Sequence, residues 1–233
     1  MPAYFVTGTD TDAGKTLVAA GLLALARARG LTTLGLKPVA SGCANTPDGL
    51  RNDDALALLA RSVPAVSYDT INPFAFEPAI APHLAAQRAG VQLDLAGLSE
   101  QVAARLQAPR DFTLVEGAGG WRVPLNDSED LAGLATRLDL PVILVVGLKL
   151  GCLNHARLTA EAIRADGARL VGWVGNLLDA DFARDESLYA DNLATLQRTL
   201  DAPCLGVVPR LSRVAPARRP EAALTHLELP HGN

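Results

Sequence analysis

The chain has 233 residues, 49% of them hydrophobic and 20% charged, which suits one large α/β domain and excludes disorder as the main state. A net charge of −4 gives no global positive field to recruit nucleic acid or anionic lipid. The longest apolar run, residues 141–148, is too short to cross a bilayer. No basic segment followed by an apolar stretch opens the chain, and Cys43, Cys152 and Cys204 are few, widely spaced and without metal-ligand spacing; a reducing, cytoplasmic setting is expected.

Short apolar strands alternate with amphipathic helices, the pattern of a doubly wound, mostly parallel sheet covered on both faces. Strands are expected over residues 3–7, 33–37, 112–116, 142–146, 170–175 and 205–208. Helices are expected over 15–29, 53–61, 95–107, 130–138, 153–165 and 186–200. In such a sheet, ligands bind beyond the carboxyl ends of the strands. Residues 1–211 read as a single P-loop α/β domain and 212–233 as a loosely held C-terminal tail, because Pro216, Arg218, Arg219 and Pro220 interrupt any regular pattern there.

The first strand runs into Gly8, a polar loop and Gly14-Lys15-Thr16, followed by a helical pattern. Strand, glycine-bounded loop and helix is the context of a phosphate-cradling nest, in which Lys15 reaches the outer phosphates and the Thr16 hydroxyl holds Mg²⁺. Five residues separate Gly8 from Gly14, where the usual P-loop pattern has four.

The chain carries three lysines against eighteen arginines, and Lys15, Lys37 and Lys149 all fall near strand ends, where a compact point charge serves phosphate. The second strand delivers Lys37, then Pro38 and small residues that let backbone approach a ligand. Further on, Asn52 reads as a helix cap, and Asp53 and Asp54 suit either the helix dipole or a ligand role. Residues 62–82 read as an irregular crossover dense in proline and aromatics, with Pro82 and His83 opening another helix. His83 stands as either a ligand or a capping residue.

The third strand ends at Glu116, an acid placed to bind Mg²⁺, before Gly117-Ala118-Gly119-Gly120-Trp121. After the fourth strand, Gly151 starts a helix whose free amides suit a carboxylate, and Asn154 and His155 are caps or site residues. Asn176 ends the fifth strand, where its amide reads a nucleobase edge or caps a turn.

Assembled in order, these motifs resemble the dethiobiotin synthetases, ligases of biotin biosynthesis, over nearly the whole chain up to about Leu211. The five-residue loop spacing is that family's own form. Resemblance also rests on Lys37-Pro38-Val39-Ala40-Ser41-Gly42, on Thr46-Pro47 through Asp54, on Val115 through Trp121, and on Lys149-Leu150-Gly151-Cys152 with Asn154-His155-Ala156. It implies an ATP-dependent cyclo-ligase that joins CO₂ to 7,8-diaminopelargonate, through a carbamate and a mixed carbamic–phosphoric anhydride, to a cyclic urea.

By the same resemblance, Thr16, Asp54 and Glu116 are the Mg²⁺ ligands, and Lys15, Lys37 and Thr11 serve catalysis. Asp12, Ala13, Gly14, Lys15, Thr16 and Leu17 wrap the phosphates, with Asp54 and with Glu116, Gly117, Ala118 and Gly119 beside them. Asn176, Pro209, Arg210 and Leu211 lie on the adenine side. Thr11 and Ser41 face the carbamate. Leu150, Gly151, Cys152, Leu153, Asn154 and Tyr189 reach the substrate carboxylate from the second subunit of a homodimer. Arg213 stands where many members have glutamate, and Asp12 replaces another frequent glutamate.

The alternative of another class is a P-loop switch ATPase of the partitioning type. Such proteins carry an additional early lysine, and positions 9–13 hold none. They also often end in a membrane-seeking helix or a basic DNA face, and residues 214–233 offer neither. A small-molecule kinase usually needs an arginine-bearing lid, and the sequence shows no arginine-rich insertion of that kind.

Overall fold

The computed structural model describes residues 3–230. Its main sheet has six strands: β1 (Ala3–Gly8), β2 (Thr33–Leu36), β7 (Phe112–Glu116), β8 (Val142–Leu148), β9 (Leu170–Leu177) and β10 (Cys204–Val208). They stand in the order β10-β9-β8-β1-β7-β2 and every pairing is parallel. β8 is buried at all seven positions, which is why it reads as an uninterrupted apolar run rather than an alternating one. The chain leaves β1 toward β7 and β2, then crosses to β8 on the other side. That reversal around β1 opens a crevice at the strand ends.

The long helices are α1 (Lys15–Ala28), α5 (Leu95–Leu106), α7 (Cys152–Ala165) and α8 (Glu186–Thr199). α1 buries Leu22 and Leu23 completely, each worth about 1.5–3 kcal/mol of transfer free energy. It ends at Gly30, whose φ of 79° accepts the turn. None of the helices among the described residues is long and apolar enough to cross a membrane.

Several elements escape the sequence reading. β3 (Val39–Ala40) pairs with β6 (Phe74–Ala75), and β4 (Ala44–Thr46) forms a hairpin with β5 (Gly49–Arg51). Two or three residues are too few to show a period, so these looked like loop. The crossover 62–82 also contains one helical turn, α3 (Tyr68–Ile71), capped by Ser67, between α2 (Asp53–Leu59) and α4 (Pro82–Arg88).

The helix expected over 130–138 is shorter: α6 spans Gly133–Arg137. Its first three positions are taken by a loop clasp, in which Asp130 bridges Pro124 and the Leu131 amide donates to the Val123 carbonyl at 2.8 Å.

The C-terminal segment is not loosely held. α9 (Arg219–Ala223) lies on α1, and Ala223 is fully buried. Arg61 donates to both Glu221 carboxylate oxygens at 2.8 and 2.9 Å. The Glu228 amide donates to the Leu205 carbonyl at 2.8 Å. Prolines there mark short turns that fold the segment back onto the core.

Candidate active site

The loop after β1 is held by its own polar groups. Asp10 accepts from the Thr11 amide through its side chain at 2.8 Å and from the Lys15 ammonium through its carbonyl at 3.3 Å. Asp12 sits at φ 60°, a left-handed conformation that a short carboxylate tolerates better than most side chains; this gives the aspartate at that position a physical reason. Gly14 has φ 94°, and a Cβ there would lie 2.1 Å from Asn176 Nδ2. Asn176, at the end of β9, donates to the Ala13 carbonyl at 2.9 Å. Its amide therefore braces the loop that α1 continues.

β1 and β7 are neighbours, with Val6 opposite Glu116. That register puts the end of β7 beside the loop. Glu116 Oε1 accepts from the Thr16 hydroxyl at 2.8 Å and from the Lys37 ammonium at 2.6 Å. Lys37 also donates to Asp54 Oδ2 at 2.9 Å and to the Gly117 carbonyl at 3.2 Å. Asp54 is delivered by α2, whose start is fixed by Asn52 accepting from the Ala55 amide at 3.2 Å, a cap worth about 1 kcal/mol. Four segments distant in sequence meet here.

Burial pulls the Lys37 pKa down, but Glu116 and Asp54 outweigh it and the net shift is upward. Lys15 moves the other way, because burial and the neighbouring Lys37 charge outweigh Glu116 and Asp54. For Asp54, burial raises the pKa while Lys37 and the Thr16 hydroxyl lower it, and the net shift is downward. Lys37 is thus held as a cation between two carboxylates.

A cleft of about 360 Å³ opens over this cluster, lined by Thr11, Asp12, Gly14, Lys15, Thr16, Lys37, Ser41, Asp54, Ala118 and Gly119. Ala40 and Asn52, not singled out as site residues from the sequence, line it too. Ala13 and Glu116 are buried beneath.

The other candidates lie apart from this cluster. Lys149 Nζ comes within 3.8 Å of Asp10 Oδ2, so the segment after β8 borders the loop. Leu150 there is 89% exposed, while the Cys152 side chain is buried in the core; Cys152 offers a ligand only its backbone. Leu153 packs on that core beside it, and Gly151 and Asn154 are exposed. Tyr189 lies on α8 edge-on to Phe182, with ring centroids 6.0 Å apart. Pro209, Arg210 and Leu211 follow the edge strand β10. His83 lies in a separate groove of about 700 Å³ with Asn126, and α4 starts without a side-chain cap; it neither caps nor joins the cleft.

The donors fit a hard divalent cation. Thr16, Asp54 and Glu116 supply only oxygen, and Glu116 Oε2 is buried without a hydrogen-bond partner among the described residues. No cluster of three or more His, Cys, Asp or Glu suited to a metal occurs among the described residues. A cation held by these three oxygens would need further ligands from phosphate and water, as Mg²⁺ sites do.

Comparison with known proteins gives a consistent result. A family model described as an AAA domain matches residues 2–218. The ATP-dependent dethiobiotin synthetase of Chromohalobacter salexigens is 69% identical, covering 99% of both chains. That of Cellvibrio japonicus is 60% identical, over 97% of this chain and 96% of that one. Among solved structures, the MinC:MinD cell division complex of Aquifex aeolicus aligns with TM-score 0.60 at 16% identity, over 94% of this chain and 86% of that one. The ParA family ATPase of Chlorobium tepidum aligns with TM-score 0.54 at 15% identity, over 97% and 90%. At those identities the structures share the P-loop fold.

Proposed function

The chain belongs to the dethiobiotin synthetase family, and from that premise we propose that it closes the ureido ring of dethiobiotin from 7,8-diaminopelargonate, CO₂ and MgATP. The observation that carries this reading is the Lys37 ammonium bound to both Asp54 and Glu116 beside the Gly14–Thr16 turn. The diamine takes up CO₂ as a carbamate on one amine. A carbamate oxygen attacks the γ-phosphorus, ADP leaves, and the second amine attacks the carbonyl carbon and expels phosphate.

Each residue has work in that sequence. Amides of residues 12–17 and the Lys15 ammonium bind the phosphates. Thr16, Asp54 and Glu116 would hold Mg²⁺, which would offset phosphate charge. Lys37, fixed as a cation, stabilises charge spreading over the transferred phosphoryl group. Thr11 and Ser41 orient the carbamate through hydroxyls lining the cleft. Gly117, Ala118 and Gly119 let the substrate approach backbone, and Asn176, Pro209, Arg210 and Leu211 lie on the adenine side.

We propose further that the enzyme works as a cytoplasmic homodimer. Leu150, Leu158 and Leu188 are large apolar side chains left exposed just before α7, on α7 and on α8 in turn, a surface suited to a second copy. That copy brings its α7 amides, from Gly151 to Asn154, and its α8 Tyr189 toward the substrate carboxylate, as a helix N-terminus favours.

The test is incubation with diaminopelargonate, labelled bicarbonate and MgATP, with product mass read by spectrometry. Labelled cyclic urea with matched ADP is expected. Diamine-independent ATP hydrolysis without it would favour a partitioning-type switch ATPase; a stable phosphorylated diamine product would favour a kinase.

A further inference from the structure

We propose that Tyr68 and Asn72 are positioning residues for the ring-closing reaction, fixing Lys37 and the start of α2 at a set separation through one buried hydrogen-bonded chain. This rests on the function proposed above. Neither residue touches the cleft; both act through backbone.

Lys37 is tied on both sides. Its amide donates to the Ile71 carbonyl at 2.9 Å, and its carbonyl accepts from Asn72 Nδ2 at 2.8 Å. The second Asn72 amide hydrogen goes to the Phe74 carbonyl at 3.1 Å. Asn72 Oδ1 accepts from the Tyr68 hydroxyl at 2.9 Å. That hydroxyl in turn accepts from the Asn52 amide at 2.8 Å. Asn52 then caps α2, which carries Asp54, and donates through its side chain to the Ser41 carbonyl at 3.3 Å.

The chain therefore begins at the residue bearing the ammonium and ends at the helix bearing its carboxylate partner, with a branch to Ser41. Tyr68 donates once and accepts once, and both Asn72 amide hydrogens are used. Arg51 lies over the Tyr68 ring, 4.3 Å from its centroid. A satisfied buried network of this kind specifies one geometry, and phosphoryl transfer is sensitive to misplacement of about an ångström. The proline-rich crossover thus serves as the underside of the site.

The test compares wild type, Tyr68→Phe (Y68F), Lys37→Gln (K37Q) and the double variant for kcat, the KM values for ATP and the diamine, and thermal midpoint. Y68F keeps the ring under Arg51 and removes one oxygen. It is expected to lower kcat about 10- to 100-fold with the KM values for ATP and the diamine within about threefold. In the K37Q background it is expected to lose little more, because there is no ammonium left to misplace. Asn72→Ala, which removes the Tyr68 acceptor and both donors, to the Lys37 and Phe74 carbonyls, without adding a charge, should give at least the same kcat loss and serves if Y68F does not fold. Wild-type kcat in a folded variant, or an equal fold-loss in both backgrounds, overturns the proposal. If the wild type makes no cyclic urea, the functional reading fails and takes this with it; an active wild type with unaffected variants overturns the positioning role alone.

Discussion

Lys37 is 4% exposed and engages two carboxylates and a carbonyl, so its effect on catalysis and on stability has to be separated. Lys37→Gln retains a donor to Glu116 and removes the charge. We expect kcat to fall at least about 100-fold, with the KM for ATP changed far less, because the lost charge counts mainly in the transition state; comparable falls in kcat and affinity would argue for a ground-state role. Thr16→Val (T16V) keeps shape and removes the hydroxyl beside Glu116. Mg²⁺-dependent ADP binding, followed by calorimetry across a Mg²⁺ titration, is expected to weaken about tenfold, and an unchanged Mg²⁺ dependence would remove Thr16 from the ligand set. The meeting of Lys15, Thr16, Lys37 and Glu116 was legible because each stands at the carboxyl end of an expected strand or in the loop and helix start that follow it; Asp54, in the first turn of α2, was left open between a dipole and a ligand role by the residues and was singled out by the family resemblance. Tyr68 and Asn72 were not, since their importance lies in bonds to Asn52 and Lys37, 16 and 35 residues away. Cys152 shows the converse: its motif position was readable, but that its thiol points into the core was not.

At the level of elements, hydrophobic patterning located every strand of the main sheet and its long helices to within two residues, because both faces of the sheet are covered and the helices are amphipathic. What it missed was short or held by long-range contacts. The β4–β5 hairpin and the β3–β6 pair have too few residues for periodicity to speak. The C-terminal segment looked unstructured because its cohesion lies in contacts with α1 and β10. Gly206 is central to that docking: it has φ 135° and lies where a Cβ would come within 2.0 Å of the His226 carbonyl oxygen. Gly206→Ala is therefore expected to destabilise the protein by about 1–3 kcal/mol. That corresponds to a thermal midpoint lower by roughly 2–12 °C for a chain of this size. An unchanged midpoint in a calorimetric scan would mean that the close approach of residue 226 to Gly206 does not matter to stability.

For the whole molecule, the fold is shared with a MinC:MinD cell division complex and a ParA family ATPase that are only 16% and 15% identical in sequence. Fold therefore does not decide between switch and ligase. The decision comes from side chains on that frame and from relatives 60–69% identical over nearly the whole chain. The proposed homodimer makes its own prediction: Leu158→Glu (L158E) puts charges into the exposed apolar surface of α7, and sedimentation should show a folded monomer with little turnover. A fully active monomer would separate the substrate site from any interface. The most direct test of the central claim follows oxygen. If a carbamate oxygen attacks the γ-phosphorus at this cleft, bicarbonate labelled with ¹⁸O and quenched before exchange with water must pass one labelled oxygen into each phosphate released. The account predicts labelled phosphate in step with cyclic urea and only when the diamine is present; phosphate carrying oxygen from water alone would contradict it.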